Sequence, residues 1–224
     1  MTKTAFITGG SRGIGEETAH LLREAGWDIV APRRAVLDFA DLQLVYTYIM
    51  DWLSGLQVHQ FDAVIFCHGE WYARSPWQNR NVDPAIVWYR QMTMRVFTPM
   101  YLLQFLLGGD PRWRPKCVIM VSSTRGLIGG VNTGPYAAAC AAQIALMQGY
   151  AREYPGVRFN AIACGLTDTD MGREVIATGG AKPDAIAQPP ESVAREIVRL
   201  IESDDNGRVM RVVDSQVSEA KWHW

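Results

Sequence analysis

A glycine-rich turn near the start of the chain is the feature that most restricts how this sequence can fold. It joins a short apolar run, residues 4–8, to a segment with helical spacing of apolar residues, and it reads Thr8-Gly9-Gly10-Ser11-Arg12-Gly13-Ile14-Gly15. Glycine allows left-handed dihedrals and close backbone approach. The first turn of a helix offers free N–H groups and the positive end of its dipole, which suit a pyrophosphate. The strand–turn–helix context therefore predicts a dinucleotide site, with a ligand-free tight turn as the alternative.

The rest of the chain alternates short apolar runs with longer helical patterns, which predicts an α/β protein. Strands joined by helical crossovers form a mostly parallel sheet with helices on both faces. We expect one doubly wound, Rossmann-like domain over residues 1–224. The predicted strands are residues 4–8, 28–31, 62–66, 117–122, 157–163 and 208–213, the last being the final strand. The predicted helices are one that ends near Gly26, then residues 39–53, 84–107 with a bend near Pro99, 135–153 and 191–203.

The connection after the second predicted strand is unusually short. Residues 33–38 cannot hold a helical crossover, which takes a dozen or more residues, so one crossover helix is expected to be shortened or missing. A strand near Val36 would then be a stub. Loops at the carboxyl ends of strands carry the ligand in such a sheet. The glycine- and proline-rich segments 126–134 and 178–190 are therefore predicted to be active-site loops.

Composition and charge argue against several classes of protein. The 224 residues include 22 Lys and Arg and 23 Asp and Glu, a net charge of −1, which disfavours a nucleic-acid partner. The most apolar window, residues 100–107, is too short to cross a bilayer, and no signal peptide precedes the first strand, so a cytoplasmic protein without a membrane partner is expected. The four cysteines are widely spaced, and Cys67 and His68 lack further ligands at suitable spacing, so neither disulfides nor a metal are expected.

The end of the second strand bears on which dinucleotide would bind. The chain continues Pro32-Arg33-Arg34, with no acidic residue before Asp38 to accept hydrogen bonds from the adenine ribose. Arg12 lies inside the glycine turn. Guanidinium groups recognise phosphate well, so this pattern favours the 2′-phosphate of NADP(H) over NAD(H). In the alternative interpretation, Arg33 and Arg34 are merely solvated.

These motifs together resemble the short-chain dehydrogenase/reductase family along nearly the whole chain. Thr8-Gly9-x-x-x-Gly13-x-Gly15 matches the family's glycine signature, and Asp38-Phe39 is similar to its adenine-contacting pair. Ser123 precedes Tyr136 by 13 residues, which is the spacing of the family's catalytic serine and tyrosine. Residues 164–169, Cys-Gly-Leu-Thr-Asp-Thr, stand where the family has Pro-Gly and a threonine that contact the nicotinamide.

The resemblance implies hydride transfer between a nicotinamide and a carbonyl or alcohol carbon of a small molecule. Tyr136 would act as the acid or base, and Ser123 would polarise the substrate oxygen. The resemblance also implies a homodimer or homotetramer. The implied cofactor-binding residues are Gly9, Ser11, Arg12, Gly13, Ile14, Gly15, Arg33, Arg34, Asp38, Phe39, Gly69, Gly165, Thr167 and Thr169.

Three positions depart from the family pattern. Cys140 stands four residues after Tyr136, where the family has a lysine that assists the tyrosine. Arg95 falls at the position of an assisting asparagine. Residues 66–69, Phe-Cys-His-Gly, keep only the glycine of the family's Asn-Asn-Ala-Gly. The chain has just four lysines, Lys3, Lys116, Lys182 and Lys221, and none lies near position 140.

These departures leave alternatives open. The protein could bind nucleotide without catalysis, as an impaired enzyme or scaffold. Alternatively, Arg95 could deliver a cation to the space vacated at Cys140, since a phenol that titrates near 10 needs help to act at neutral pH. Cys140 could be a nucleophile, but a small buried replacement is the simpler interpretation. The aromatic stretch Trp71, Tyr72, Trp77, Trp88 and Tyr89 could line a substrate pocket or pack in a core or interface.

Overall fold

A seven-stranded sheet forms the centre of the molecule in the computed structural model, which describes residues 2–32, 38–55, 61–72, 83–108 and 114–220. The strand order is β2-β1-β3-β4-β5-β6-β7, and every neighbouring pair is parallel except β6 and β7. The strands are β1 (Thr4–Thr8), β2 (Asp28–Val30), β3 (Ala63–Phe66), β4 (Cys117–Ser123), β5 (Arg158–Cys164), β6 (Val209–Val213) and β7 (Gln216–Glu219). The predicted Rossmann-like α/β architecture is thus confirmed.

Helices cover both faces of this sheet. They are α1 (Gly13–Glu24), α2 (Leu42–Gly55), α3 (Pro84–Met92), α4 (Thr98–Gly108), α5 (Arg125–Ile128), α6 (Gly134–Glu153), α7 (Asp170–Ala177) and α8 (Pro190–Glu202). On one face α2, α4 and α6 bury residues such as Val45, Leu103 and Ile144. On the other face α1 and α8 bury residues such as Leu22 and Ile197. Strands buried on both faces explain why the strand segments read as continuous apolar runs.

Among the described residues, one helix rather than two connects β2 to β3, as the short connection predicts. Within the described residues only α2 lies between β2 and β3, and β1 pairs with both of these strands. The expected stub near Val36 lies outside the described residues, as do Arg33 and Arg34. Helix α2 starts at Leu42 rather than at Phe39, because the Asp41 carboxylate accepts hydrogen bonds from the amides of the next turn.

The long helix predicted over residues 84–107 is interrupted by a π-helical turn, Thr93–Phe97, between α3 and α4. Pro99 has no N–H to donate to the carbonyl of Arg95, so the regular pattern of hydrogen bonds cannot continue there. The amide of Thr98 donates instead to the carbonyl of Thr93, five residues back. The irregularity therefore lies just before Pro99, and Arg95 is one of its buried residues.

Two predictions at the ends of strands are corrected. Segment 126–134 is not entirely a loop, because the short helix α5 occupies its first residues. Strand β6 is not the last one, because Asp214 and Ser215 both adopt positive φ values, 51° and 60°, and turn the chain back into β7. All four β7 residues are exposed, so the strand lacks the apolar pattern that identifies the others.

Candidate active site

A cleft lies along the carboxyl ends of β1, β3, β4 and β5, where a sheet of this kind binds ligands. We call the part formed by the glycine turn the glycine-turn end, and the part around Tyr136 the tyrosine end. The cleft is lined by Gly9, Ser11, Arg12, Gly13, Ile14, Gly15, Pro32, Asp38, Phe39, Cys67, His68, Gly69, Glu70, Met94, Arg95, Val121, Ser122, Tyr136, Cys164, Thr169, Asp170 and Met171. The fold thus brings the predicted cofactor motif and the predicted proton donor into one cavity.

The glycine-turn end is built from backbone. A Cβ atom added to Gly15 would lie 2.3 Å from the carbonyl oxygen of Gly9, so only glycine fits where the turn folds back on itself. Arg12, which precedes α1, forms no side-chain cap on the helix. The first-turn amides of α1 therefore have no capping side chain, and the residues that carry them line the cleft. This arrangement fits a pyrophosphate.

The Arg12 side chain extends across the mouth of this end. Its Nη1 lies 3.2 Å from a carboxylate oxygen of Asp170, whose other oxygen pairs with Arg173 at 2.7 Å. Both Arg12 and Asp170 remain mostly exposed, so this ion pair contributes little stability and a phosphate could replace it. The link joins the glycine turn to α7 on the other side of the cleft.

The predicted pair Asp38-Phe39 lies beside the glycine turn. Phe39 is buried and stacks on the ring of His68, with 4.4 Å between centroids. The Asp38 carboxylate accepts a hydrogen bond from the amide of Ala40 at 3.0 Å. Both members of the pair line the cleft, as a contact with adenine would require.

His68 lies beneath the glycine turn and links it to the tyrosine end. Its Nδ1 is 2.6 Å from the hydroxyl of Thr8, and the side chain is only 5% exposed. Burial, together with the positive charge of Arg95, lowers the pKa of His68 to about 3. His68 is therefore neutral near pH 7, and the described residues contain no cluster of His, Cys, Asp and Glu that could hold a metal.

Tyr136, in the first turn of α6, lines the tyrosine end, whereas Ser123, the last residue of β4, does not line the cleft and has a hydrogen bond with Tyr136. Both side chains are buried. Burial raises the pKa of the Tyr136 phenol well above its ordinary value, while the charge of Arg95 and a hydrogen bond with Ser123 act to lower it. The phenol therefore holds its proton at neutral pH and is suited to donate it.

Arg95 is buried against Tyr136. Its guanidinium carbon lies 4.6 Å from the centre of the tyrosine ring, and the residue is 4% exposed. A Cβ atom on Gly69 would come within 2.8 Å of the Arg95 Nη2, so the glycine that lies three residues after β3 leaves the space that the guanidinium fills. The segment after β3, the π-helical turn and α6 thus meet at one charged group.

Cys140 lies one helical turn after Tyr136 and is completely buried. Burial raises the pKa of its thiol, although Arg95 and neighbouring hydrogen bonds oppose this shift. A nucleophilic cysteine needs a thiolate, which this environment does not favour at neutral pH. The geometry supports the interpretation that Cys140 is a small buried residue.

The segment after β5 contributes less to the cleft than predicted. Thr169 lines it and accepts a hydrogen bond from the amide of Gly172 at the start of α7. Gly165 and Thr167 do not line it. The Thr167 hydroxyl instead donates to the carbonyl of Gly165 at 3.1 Å and accepts from Gln188 at 3.3 Å.

The aromatic stretch divides between the two interpretations left open. Trp71 is buried edge-on against Tyr136, with 4.8 Å between ring centroids, and its indole N–H donates to Thr178 after α7. Trp88 and Tyr89 on α3 are exposed by 39% and 55%, and Trp77 lies outside the described residues. Trp71 therefore shapes the tyrosine end, together with Met171 and Val175 of α7.

Sequence reasoning missed a charged pair at this end. Glu70 lines the cleft, and its two carboxylate oxygens accept hydrogen bonds from Arg90 of α3 at 2.9 and 2.8 Å. One indication for Glu70 was available in the sequence: it directly follows Gly69, just after the carboxyl end of β3, where ligands bind in such a sheet. Nothing in the sequence indicated that Arg90, 20 residues later, would be its partner.

Comparison with known proteins agrees with this geometry. The sequence model of the family described as short chain dehydrogenase matches residues 80–179, which include Ser123 and Tyr136. The chain is thus similar to the short-chain dehydrogenase/reductase family over 100 of its 224 residues.

The chain has relatives among curated proteins and solved structures. It is 28% identical over 191 residues to the uncharacterized oxidoreductase YmfI of Bacillus subtilis, covering 76% of this chain and 77% of that one. It is also 28% identical over 192 residues to the 3-oxoacyl-[acyl-carrier-protein] reductase FabG of Aggregatibacter actinomycetemcomitans, covering 76% and 78%. A small-chain dehydrogenase solved in complex with NADPH shares the fold, with a TM-score of 0.77, 21% identity, and coverage of 95% and 97%.

No helix in the described part of the chain is both long and apolar enough to cross a bilayer.

Proposed function

We propose that this protein is an NADP(H)-dependent oxidoreductase that transfers hydride between nicotinamide and the carbonyl or alcohol carbon of a small molecule. The observation that carries the proposal is that one cleft is lined both by a turn suited to a pyrophosphate and by Tyr136, whose phenol has a hydrogen bond with the buried Ser123. A nucleotide site alone would not need a buried phenol and hydroxyl at its far end.

The residues at the glycine-turn end fit the dinucleotide. The first-turn amides of α1 would bind the pyrophosphate, and Phe39 would contact the adenine. Arg12, with Arg33 and Arg34, which follow β2 in the sequence, would bind a 2′-phosphate, which favours NADP(H) over NAD(H). A neighbour of the same fold was solved with NADPH. When bound, the reduced nicotinamide would supply a hydride to the carbonyl carbon.

The residues at the tyrosine end would handle the proton. Ser123 would donate a hydrogen bond to the substrate oxygen, and the Tyr136 phenol would transfer its proton to that oxygen as the C–H bond forms. Because the raised pKa keeps Tyr136 protonated, the free site is prepared for carbonyl reduction rather than alcohol oxidation at neutral pH.

The rival proposal is a nucleotide-binding protein or scaffold that has lost catalysis. It is supported by Cys140 and Arg95, which replace the residues that the family resemblance leads us to expect. The buried Ser123 and Tyr136 pair favours the enzyme.

Two measurements separate the proposals. Quenching of tryptophan fluorescence gives the affinities for NADPH and NADH, and consumption of NADPH over a panel of ketones and aldehydes gives turnover. We expect tighter NADPH than NADH binding, with that preference reduced about tenfold in Arg12→Gln, and measurable reduction. Tight NADPH binding with no turnover would establish the rival, and tighter NADH binding would refute the phosphate argument.

We also propose that the protein acts in the cytoplasm as a homodimer or homotetramer. Its four cysteines are free, which suits a reducing compartment. Ile86 and Tyr89 of α3 and Tyr101 of α4 are exposed apolar residues that a second copy could cover. Light scattering after size-exclusion chromatography would test the assembly, and a monomeric mass would refute it.

A further inference from the structure

We propose that Arg95 is a positioning residue for proton transfer, whose charge stabilises the Tyr136 phenolate that forms when the phenol gives up its proton. This inference rests on the proposed function of the cleft. Its starting point is the guanidinium that lies over the tyrosine ring, 4.6 Å from the ring centre, in a site where Arg95 is 4% exposed.

Among the residues that the structure describes, no carboxylate pairs with Arg95 to neutralise its charge. No acidic residue within the described chain forms an ion pair with it, and its buried Nε has no hydrogen-bond partner. Glu70 is close enough to be felt electrostatically, but both of its oxygens are taken by Arg90. A buried cation without a counter-charge is costly, unless the charge serves a group that becomes negative during the reaction.

The other polar groups around Arg95 are neutral in the resting protein. Burial raises the pKa of Cys140, and it raises the pKa of Cys164 to about 11. Tyr136 also keeps its proton. Among these groups, Tyr136 is the one whose ionisation the proposed chemistry requires, so the positive charge of Arg95 is available when the phenolate forms.

The fold holds the guanidinium in this place from two sides. Arg95 is a buried residue of the π-helical turn before Pro99, and its guanidinium lies over the Tyr136 ring of α6; such turns recur at functional sites. On the opposite side, Gly69 leaves the space for Nη2, since a Cβ there would be 2.8 Å away.

In the proposed step, a hydride from the reduced nicotinamide would add to the carbonyl carbon, which reduces the carbonyl and oxidises the nicotinamide. The carbonyl π electrons would move to oxygen, and the Tyr136 O–H bond would break as its proton moves to that oxygen. The phenolate is left beside Arg95 until a proton from solvent restores the phenol. A cation at this distance favours the phenolate in the transition state more than it favours the phenol beforehand.

Variants that remove or keep the positive charge at position 95 test the proposal. Arg95→Gln should lower kcat roughly 100-fold with little change in substrate KM or NADPH affinity, whereas Arg95→Lys should keep most of kcat. In the Arg95→Gln background, Cys140→Lys should restore part of kcat, because position 140 faces the same space one turn after Tyr136. Arg152→Gln, an exposed arginine of α6, is the control and should leave kcat unchanged.

A packing role would produce a different pattern. Equal losses for Arg95→Gln and Arg95→Lys, with no recovery on adding Cys140→Lys, would overturn the proposal, as would an Arg95→Gln variant with kcat within threefold of the wild type.

A second measurement does not depend on turnover. A difluorinated tyrosine incorporated at position 136 ionises at lower pH than tyrosine, and its absorbance can be titrated in the protein. Arg95→Gln should raise the apparent pKa of this phenol, and Arg95→Lys should restore it. An unchanged pKa would refute the role of Arg95. If the wild type reduces no carbonyl but the titration shifts as expected, then the proposed function fails while the electrostatic link stands.

Discussion

The two ends of the cleft are built in different ways. The glycine-turn end comes from eight consecutive residues, 8–15, and presents backbone amides. The tyrosine end is assembled from side chains of separate elements: Tyr136 and Cys140 of α6, Ser123 of β4, Arg95 of the π-helical turn and Trp71 after β3. A site made of backbone amides restricts which residues can occupy it, because the turn cannot form with other residues. A side-chain site can receive an equivalent charge from another part of the chain.

Removal of the phenol should have the largest effect and should separate the two ends. Tyr136→Phe keeps the aromatic packing against Trp71 but removes the proton, so we expect kcat to fall by about 1,000-fold. NADPH affinity should change by no more than about twofold, since it depends on the other end. Stopped-flow measurement of NADPH oxidation checks the rate. Tyr150→Phe on the same helix is the control, and a substantial loss of NADPH binding in Tyr136→Phe would contradict the separation.

A methyl group in the glycine turn should, in contrast, weaken the binding of NADPH. In Gly15→Ala the new Cβ would meet the carbonyl oxygen of Gly9 at 2.3 Å, so the turn must shift. We expect about 3 kcal/mol lower free energy of unfolding and at least tenfold weaker NADPH binding. Urea denaturation and fluorescence titration measure both. Gly108→Ala, where an added Cβ meets no atom within 4 Å, should change neither. Normal NADPH affinity in Gly15→Ala would show that the amides of this turn do not hold the cofactor.

His68 lies between the two ends and should give the smallest of the three effects, one that depends on pH. Its pKa falls from 6.5 to about 3 on folding, so below pH 6.5 the unfolded chain binds a proton that the folded protein does not. Stability is therefore lost as pH falls, and from pH 7 to pH 5 this group contributes a loss of about 2 kcal/mol.

Urea denaturation at both pH values measures that loss. His68→Gln should reduce the difference between pH 7 and pH 5 by about 2 kcal/mol, whereas His20→Gln, at an exposed histidine, should not. Equal pH dependence in His68→Gln and the wild type would mean that His68 is protonated in the folded protein.

Much of the fold could be predicted because its signals are local. The apolar runs of β1, β3, β4 and β5 and the turn after β1 each lie within a few residues. Strand β7 escaped prediction because its residues are all exposed and its register depends on pairing with β6. The sequence also did not predict that Thr167 lies outside the cleft, because its partner Gln188 comes from a distant loop.

The sequence by itself determined the strand–turn–helix at the start of the chain, the alternation that yields a mostly parallel sheet, and the spacing of Ser123 and Tyr136. In each case the constraint acts between neighbours in the chain or through a periodic apolar pattern. Only the tertiary structure decided that Arg95 lies over Tyr136, 41 residues away, and that Glu70 is occupied by Arg90. Those contacts depend on how β3, the π-helical turn and α6 pack, and no local pattern encodes the distance between side chains on different elements.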